Sequence, residues 1–405
     1  MKILNMKIGI LKEERVPFDN RTPLTPIQCR ELLTIYPTLE IVVKRSSERC
    51  FNNNSYTENG LKVTDDLSDC DILLGIKEVP VEKLIKNKTY FFFSHTIKKQ
   101  KQNRELLQKM LELSITMIDF ECMNDKKGKR LLGFGRYAGI VGAYHGLLTY
   151  GVKFKKYLLK APNICSDKRE LEDELENIRL TNEKIILTGT GRVSSGALEI
   201  LRKSGIKEVS KEEFLNHTFG EAVFLNLKTM DYNVRKDGLS SAKQEFYDHP
   251  ELYTSSFMNF AKHADIFIAG HYYSNDSPFL FTRDDARSTD FNIKVVADIS
   301  CDIDGSLAST IRASTHAKPT YGYNPITEKE DNFMIEDVIA VMAVDNLPSL
   351  LPKDASEDFG KNLIEKVFPL FMIKDKDKII KNATICSEGE LKDQFLYLQD
   401  FVNGF

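Results

Sequence analysis

A chain of 405 residues exceeds the size at which a single hydrophobic core stops growing, so two domains are expected. Hydrophobic residues at 42% and charged residues at 28% are ordinary for a water-soluble globular protein, and a net charge of −3 gives no electrostatic reason to bind nucleic acid or an anionic membrane. The seven cysteines are scattered, odd in number and never in a CxxC, which argues against a disulfide framework and a structural zinc site. No segment approaches the length of a membrane span, and the start Met-Lys-Ile-Leu-Asn-Met-Lys-Ile-Gly-Ile lacks the pattern of a signal peptide. The expectation is a cytoplasmic protein in a reducing compartment, with small molecules as partners and the possibility of a homo-oligomer.

In chain order, a strand is predicted over residues 7–11, and Thr25-Pro26 caps a helix over 27–33 with proline in its first turn. Strands at 40–44, 72–76, 89–94 and 114–119 alternate with helical stretches such as 97–113, the order of a parallel sheet covered by helices. Residues 134–159 hold apolar residues at helical spacing with several glycines, and read as a long helix carrying the chain into a second α/β unit. The charge-rich stretch 163–183 reads as a surface helix or excursion. Strands follow at 184–188, 223–227, 266–269 and 293–298, then helical stretches at 335–345 and 357–371 and a weak ending at 381–401. The fold expected is α/β: two Rossmann-like domains with parallel sheets and a cleft between them. Residues 1–135 plus about 336–405 would form a substrate domain, and about 136–335 a dinucleotide-binding domain.

The sharpest local signal is Lys184-Ile-Ile-Leu-Thr-Gly189-Thr-Gly191-Arg192-Val193-Ser-Ser-Gly196-Ala, a buried strand, a glycine turn and an amphipathic helix. Gly189 permits the tight turn, Gly191 lets backbone approach a pyrophosphate, and the helix supplies N–H groups and the positive end of its dipole. The spacing is GxGxxxxG, so a turn that needs glycine only for backbone reasons is the competing reading. Two further sequences stop at carboxyl ends of first-domain strands, where open α/β sheets place ligands: Ile-Lys77-Glu78-Val-Pro and Tyr-Phe-Phe-Phe-Ser-His95-Thr-Ile-Lys98. A lysine and a histidine there can form an acid/base pair. Alone, each reads as a solvated lysine or a helix-capping histidine. Arg21, in a proline-flanked loop, with Glu121 and Arg130, completes the charged candidates, and together the cations can bind carboxylates bidentately. Asp298-Ile-Ser-Cys-Asp302-Ile-Asp-Gly lies at a later strand's end and reads either as cofactor-facing or as an Asx-turn. The remaining histidines show no paired-ligand spacing, so no metal is expected.

Taken with Gly133-Phe-Gly-Arg-Tyr-Ala-Gly-Ile and Asp345-Asn-Leu-Pro-Ser-Leu-Leu-Pro, these motifs resemble the lysine-forming saccharopine dehydrogenases, above all the lysine-ketoglutarate reductase half of the bifunctional lysine-degrading enzyme. Those enzymes are similar in fold to alanine dehydrogenase and to the soluble part of nicotinamide nucleotide transhydrogenase. The resemblance implies an NAD(P)-dependent oxidoreductase that interconverts saccharopine with L-lysine and 2-oxoglutarate. It implies Lys77 and His95 as the acid/base pair and Arg21, Lys98 and Arg130 as carboxylate-binding cations. Glu78 and Glu121 would tune the pair, and Gly189, Gly191, Arg192, Val193, Gly196 and Asp302 would meet the cofactor. No acidic residue is unambiguously placed at the strand ending Glu208-Val-Ser210-Lys211 to accept a ribose hydroxyl, so NAD and NADP both stay open. An alanine dehydrogenase-like enzyme and a non-catalytic transhydrogenase-like binding module are the alternatives.

Overall fold

The computed structural model describes residues 6–14, 19–274 and 276–404, so the first five residues, read above for a targeting segment, lie outside the described residues. The chain divides into two compact units, Met1–Phe134 with Pro352–Phe405, and Gly135–Leu351. Each contains an eight-stranded, mostly parallel sheet.

In the first unit β1 (Met6–Ile10), β2 (Leu39–Lys44), β3 (Lys62–Thr64), β4 (Ile72–Leu74), β5 (Thr89–Phe92) and β6 (Thr116–Asp119) run parallel in the order β3-β2-β1-β4-β5-β6. The winding direction reverses between β1 and β4, the position at which such sheets open a crevice beyond their carboxyl ends. Helix α1 (Pro26–Ile35) starts as its sequence predicts: Thr25 and Gln28 form a capping box around Pro26. The helix expected over 97–113 is confined to α2 (Arg104–Glu112), preceded by two 3-10 turns with Lys99 at φ 53°. Between Ile97 and Leu106 the run Lys-Lys-Gln-Lys-Gln-Asn-Arg-Glu offers no apolar side chain to anchor a helical face.

The second unit begins with α3 (Gly135–Lys153), followed by β7 (Lys184–Thr188), α4 (Arg192–Lys203), β8 (Lys207–Glu208) and β9 (Val223–Leu227). A small hairpin, β10 (Asn233–Arg235) with β11 (Tyr253–Ser255), precedes β12 (Ile266–Ala269), β13 (Val295–Asp298), β14 (Thr320–Asn324), β15 (Lys329–Asp331) and β16 (Ile339–Met342). The sheet order is β15-β14-β16-β13-β12-β7-β9-β8, with β14 and β15 antiparallel. The helix expected over 335–345 is therefore the buried strand β16. Ile-Ala-Val-Met is a short apolar run that periodicity alone cannot assign, and here it is buried on both faces. The turn before it is pinned by buried Lys153, whose Nζ donates to the carbonyls of Phe333, Ile335 and Val338 at 2.7, 2.7 and 2.9 Å.

The chain then returns to the first unit with α5 (Pro352–Lys366), β17 (Thr384–Ser387) and β18 (Glu390–Leu391), β17 pairing antiparallel with β6. Two bonds fasten α5 to the loop and helix after β1: Thr22 N–H to Ser356 Oγ at 2.9 Å and Gln28 Nε2 to the Glu357 carbonyl at 2.8 Å. Both faces of the first sheet are covered, which is why its strands are almost continuously apolar. On β5, Phe91 packs with Ile8, Ile10, Phe359 and Leu363, while Tyr90 and Phe92 point the other way toward Leu106, Leu107 and Met110.

Candidate functional site

Register places the charged residues of the first unit. Ile10 lies opposite Leu74 in the β1–β4 ladder, and the same register carried three residues on sets Glu13 against Lys77. The Glu13 carboxylate, 7% exposed as a residue, receives the N–H of Ile76 at 2.6 Å and of Lys77 at 2.8 Å. Burial pushes this carboxyl up to about 8 and Asp19 adds in the same direction, against the pull of the two N–H donors and Arg21. Leu74 in turn lies opposite Phe91, and four residues further Glu78 meets His95, Oε1 standing 2.5 Å from Nδ1. A carboxylate on Nδ1 fixes the tautomer and leaves Nε2 for proton exchange. His95 takes the left-handed φ of 52°, and the strand end is held by Ser94, whose N–H and Oγ both donate to Asp119 Oδ2 at 3.2 and 2.5 Å. Asp119 also accepts the Glu121 N–H at 2.7 Å, and burial raises its carboxyl to about 6.

Glu121 gathers the other expected cations: Arg130 Nη2 is 2.8 Å and Lys98 Nζ 3.8 Å from its Oε1. Both cations are about half exposed, whereas Glu121 is largely covered and its Oε2 has no hydrogen-bond partner among the described residues. Arg21 departs from the solvated loop arginine that its proline-flanked sequence suggests. It is buried, its Nε and Nη2 grip Asp19 at 2.9 and 2.5 Å, and its guanidinium lies 4.0 Å from the centre of the Phe134 ring. An aromatic ring and a carboxylate two residues away drew it out of solvent. Sequence reasoning also passed over Glu13, although an acid three residues beyond a strand neighbouring that of Lys77 was a usable signal. It passed over Arg49, which is buried, donates Nη2 to the carbonyls of Lys44 and Leu11 at 2.7 and 3.3 Å, and leaves Nη1 without a hydrogen-bond partner among the described residues.

In the second unit the winding reverses between β7 and β12, and the glycine turn stands there. Gly189 has φ 99°, and a Cβ on it would lie 2.6 Å from the Gly270 carbonyl oxygen at the end of β12, so only glycine suits it. Gly191 is the N-cap of α4 and has open space where a Cβ would be, leaving room for a ligand's phosphates over the first helical N–H groups of Arg192 and Val193. Gly196 answers to a different need. A Cβ there would fall 1.9 Å from the Arg136 carbonyl, and one on Gly139 would fall 1.8 Å from that of Val193, so the two glycines let α3 and α4 cross at backbone contact. His271, set aside above with the other histidines, braces the turn: Nδ1 is 2.8 Å from Thr188 Oγ1 and Nε2 3.0 Å from Ser306 Oγ. Asp298 makes the Asx-type turn, accepting from Ser300 and Cys301 N–H at 3.1 and 3.2 Å, and Asp302 lies exposed in the turn that follows.

The strand flanking the glycine turn is β9, not β8 as the chain order suggests. Leu227 accepts the Gly189 N–H at 2.9 Å, and the residues that follow are Lys228 and Thr229. Glu208 lies on the sheet edge, paired to Arg202 at 2.9 Å. Among the described residues no group of His, Cys, Asp or Glu could hold a metal ion, and no helix is long and apolar enough to cross a membrane.

Residues 9–141 match the family model described as alanine dehydrogenase/PNT, N-terminal domain. An α-aminoadipic semialdehyde synthase of Arabidopsis thaliana is 30% identical over 98% of this chain and 42% of its own length, and that of Mus musculus, a mitochondrial protein by its name, is 27% identical over 97% and 47%. The chain thus spans less than half the length of these relatives. A saccharopine dehydrogenase [NAD(+), L-lysine-forming] of Yarrowia lipolytica is 25% identical and aligns with 89% of this chain and 91% of its own. Among solved structures, L-alanine dehydrogenase superposes with a TM-score of 0.65 at 16% identity, covering 98% of this chain and 100% of that one. A transhydrogenase of Sinorhizobium meliloti gives 0.60 at 14%, covering 95% and 98%. The chain therefore resembles the saccharopine dehydrogenases in sequence and has the fold of alanine dehydrogenase.

Proposed function

We propose that this chain is an oxidoreductase that uses a nicotinamide dinucleotide to interconvert saccharopine with L-lysine and 2-oxoglutarate. The observation that carries the reading is the Glu78–His95 bond at the ends of neighbouring strands, with Lys77 beside it, in a chain alignable almost end to end with enzymes of that name. The cofactor, held on Gly189, Gly191 and the start of α4, would accept hydride from the carbon that joins lysine's side-chain nitrogen to the glutarate skeleton. In the oxidative direction Lys77 and His95 take the amine proton as the carbon–nitrogen double bond forms. They then deprotonate the water that adds to that carbon, return a proton to nitrogen, and take the proton of the new hydroxyl as the carbonyl forms and the bond to lysine breaks. Glu78 holds the histidine tautomer through these transfers. Lys98 and Arg130, oriented by Glu121, and Arg21, oriented by Asp19, supply the cations that a substrate with three carboxylates requires. Asp302 is assigned to the cofactor side.

The strand end beside the glycine turn carries Lys228-Thr229 and also Asp231, whose carboxylate accepts the Lys228 N–H at 2.7 Å, so a cation and an acid both stand where such sheets meet the ribose, and NAD and NADP both stay open. Nicotinamide absorbance with saccharopine, with lysine plus 2-oxoglutarate and with pyruvate plus ammonia, each tried with both cofactors, tests the whole reading. Turnover of the first two and not the third is expected. Turnover of pyruvate alone would replace the reading with an alanine dehydrogenase-like one.

A further inference from the structure

We infer that Glu13 is a positioning residue for the proposed acid/base pair: its carboxylate clamps the backbone that presents Lys77 and Glu78. The inference rests on the reading of Lys77 above. The geometry is that of a two-point grip. One carboxylate oxygen takes the N–H of Ile76 and the other that of Lys77, at 2.6 and 2.8 Å. These N–H groups lie just beyond the end of β4, where the ladder to β1 has run out; the Ile76 carbonyl still accepts from Phe93 N–H at 3.0 Å, but the N–H groups of Ile76 and Lys77 bond to Glu13 in place of a strand. They also lie where the sheet winding reverses, the place at which backbone must stay open to a ligand on one side. A side chain reaching across from the segment after β1 supplies the missing partner.

The grip extends beyond Lys77. Glu78 is the next residue and bonds His95 at 2.5 Å, so one displacement at Ile76-Lys77 would misplace the lysine and the carboxylate that sets the histidine tautomer together. Glu13 is buried among charges from the neighbouring segments, Asp19 and Arg21 from the loop after β1 and Arg49 from the segment after β2, and meets the backbone N–H of Lys77 at the end of β4. With Glu13 ionised, two arginines and two carboxylates balance in formal charge, which offsets part of the cost of that ionisation in the interior. An ionised carboxylate is the stronger acceptor for both N–H groups, so the grip tightens as Glu13 loses its proton, a change that burial moves up to about 8.

The test uses the full chain with Glu13→Gln, which keeps the volume but turns an amide N–H₂ toward one of the two donors. Turnover should fall roughly tenfold or more and the alkaline pH profile should lose one ionisation, with cofactor affinity within about twofold of wild type. Hydrogen exchange at the Ile76 and Lys77 amides should quicken by about tenfold or more. Wild-type turnover and an unchanged pH profile in Glu13→Gln, beside an inactive Lys77→Met, would overturn the clamp and leave the functional reading standing. If the wild type turns over none of the proposed substrates, the functional reading fails while amide exchange still decides the clamp. Should Glu13→Gln not fold, the wild type suffices: protection of those two amides, corrected for intrinsic rate, should rise as pH passes through about 8, and flat protection would contradict the inference.

Discussion

Lys77 and His95 stand just past the ends of adjacent strands because a register set by Ile72 opposite Thr89 continues past the last ladder bond. Lys77→Met and His95→Gln are each expected to lower turnover about a hundredfold or more with cofactor affinity nearly unchanged, as positioned acids and bases do. Steady-state kinetics and cofactor titration of both variants check this, and wild-type turnover in either would remove that residue from the chemistry. The two arginines should behave differently from each other. Arg130 is about half exposed and paired to Glu121, so Arg130→Ala should raise the Michaelis constant for 2-oxoglutarate about tenfold with little loss of stability. Arg21 is buried, and Arg21→Ala would take the guanidinium from the buried Asp19 carboxylate at a cost of up to about 3 to 5 kcal/mol, visible as a lowered melting temperature. A stable Arg21→Ala protein would contradict the buried pairing. The places of Lys77 and His95 just past strand ends were legible because an apolar run precedes each, whereas Arg130 follows the charged turn Asp-Lys-Lys-Gly-Lys and took its role from the resemblance alone. The sequence did not make the partners of Arg21 legible, since Asp19 and Phe134 reach it through loop geometry that no periodicity encodes.

At the scale of elements, the glycines of one motif separate into two kinds. Gly191→Ala should leave the fold intact, since its Cβ meets open space, and Gly191→Asp should abolish a cofactor-induced rise in melting temperature by placing charge and bulk at the phosphates. Gly196→Ala forces α3 and α4 apart and should lower stability by about 1 to 3 kcal/mol or more, measurable by urea unfolding. Equal stability of Gly196→Ala and wild type would contradict the helix crossing. The motif read correctly as strand, turn and helix, but its third glycine was indistinguishable from a ligand-facing one until α3 was seen against it. The flanking strand was misjudged for a related reason: β8 follows α4 in the chain, yet the longer and mostly apolar β9 takes the inner position. Acid sensitivity belongs to this scale too. Burial pushes His145 and His271 down to about 4 from an ordinary 6.5, so the folded state keeps them neutral while the unfolded chain protonates. Their stabilisation is present above about 6.5 and is lost as pH falls toward 4, by roughly 2 to 3 kcal/mol each. Urea unfolding between pH 7 and 4.5 should show this decline, and His145→Gln should make it shallower; an unchanged slope would contradict it.

For the whole molecule, the alternation of apolar strands and helices made both α/β units legible; the helical stretch at 357–371 falls largely on α5, and the weak ending at 381–401 holds β17 and β18 of the first sheet. What sequence alone could not supply was the identity of strand neighbours, and with it the charges beside each turn. The proposed function requires that hydride leave the carbon joining lysine's nitrogen to the glutarate skeleton. Saccharopine deuterated at that carbon, incubated with the protein and oxidised cofactor, tests it most directly by mass spectrometry of the nicotinamide and the amino-acid products. Deuterium is expected on the reduced nicotinamide, equimolar with lysine and unlabelled 2-oxoglutarate. Absence of transfer, in a preparation that reduces the cofactor with another amino acid such as alanine, would contradict it.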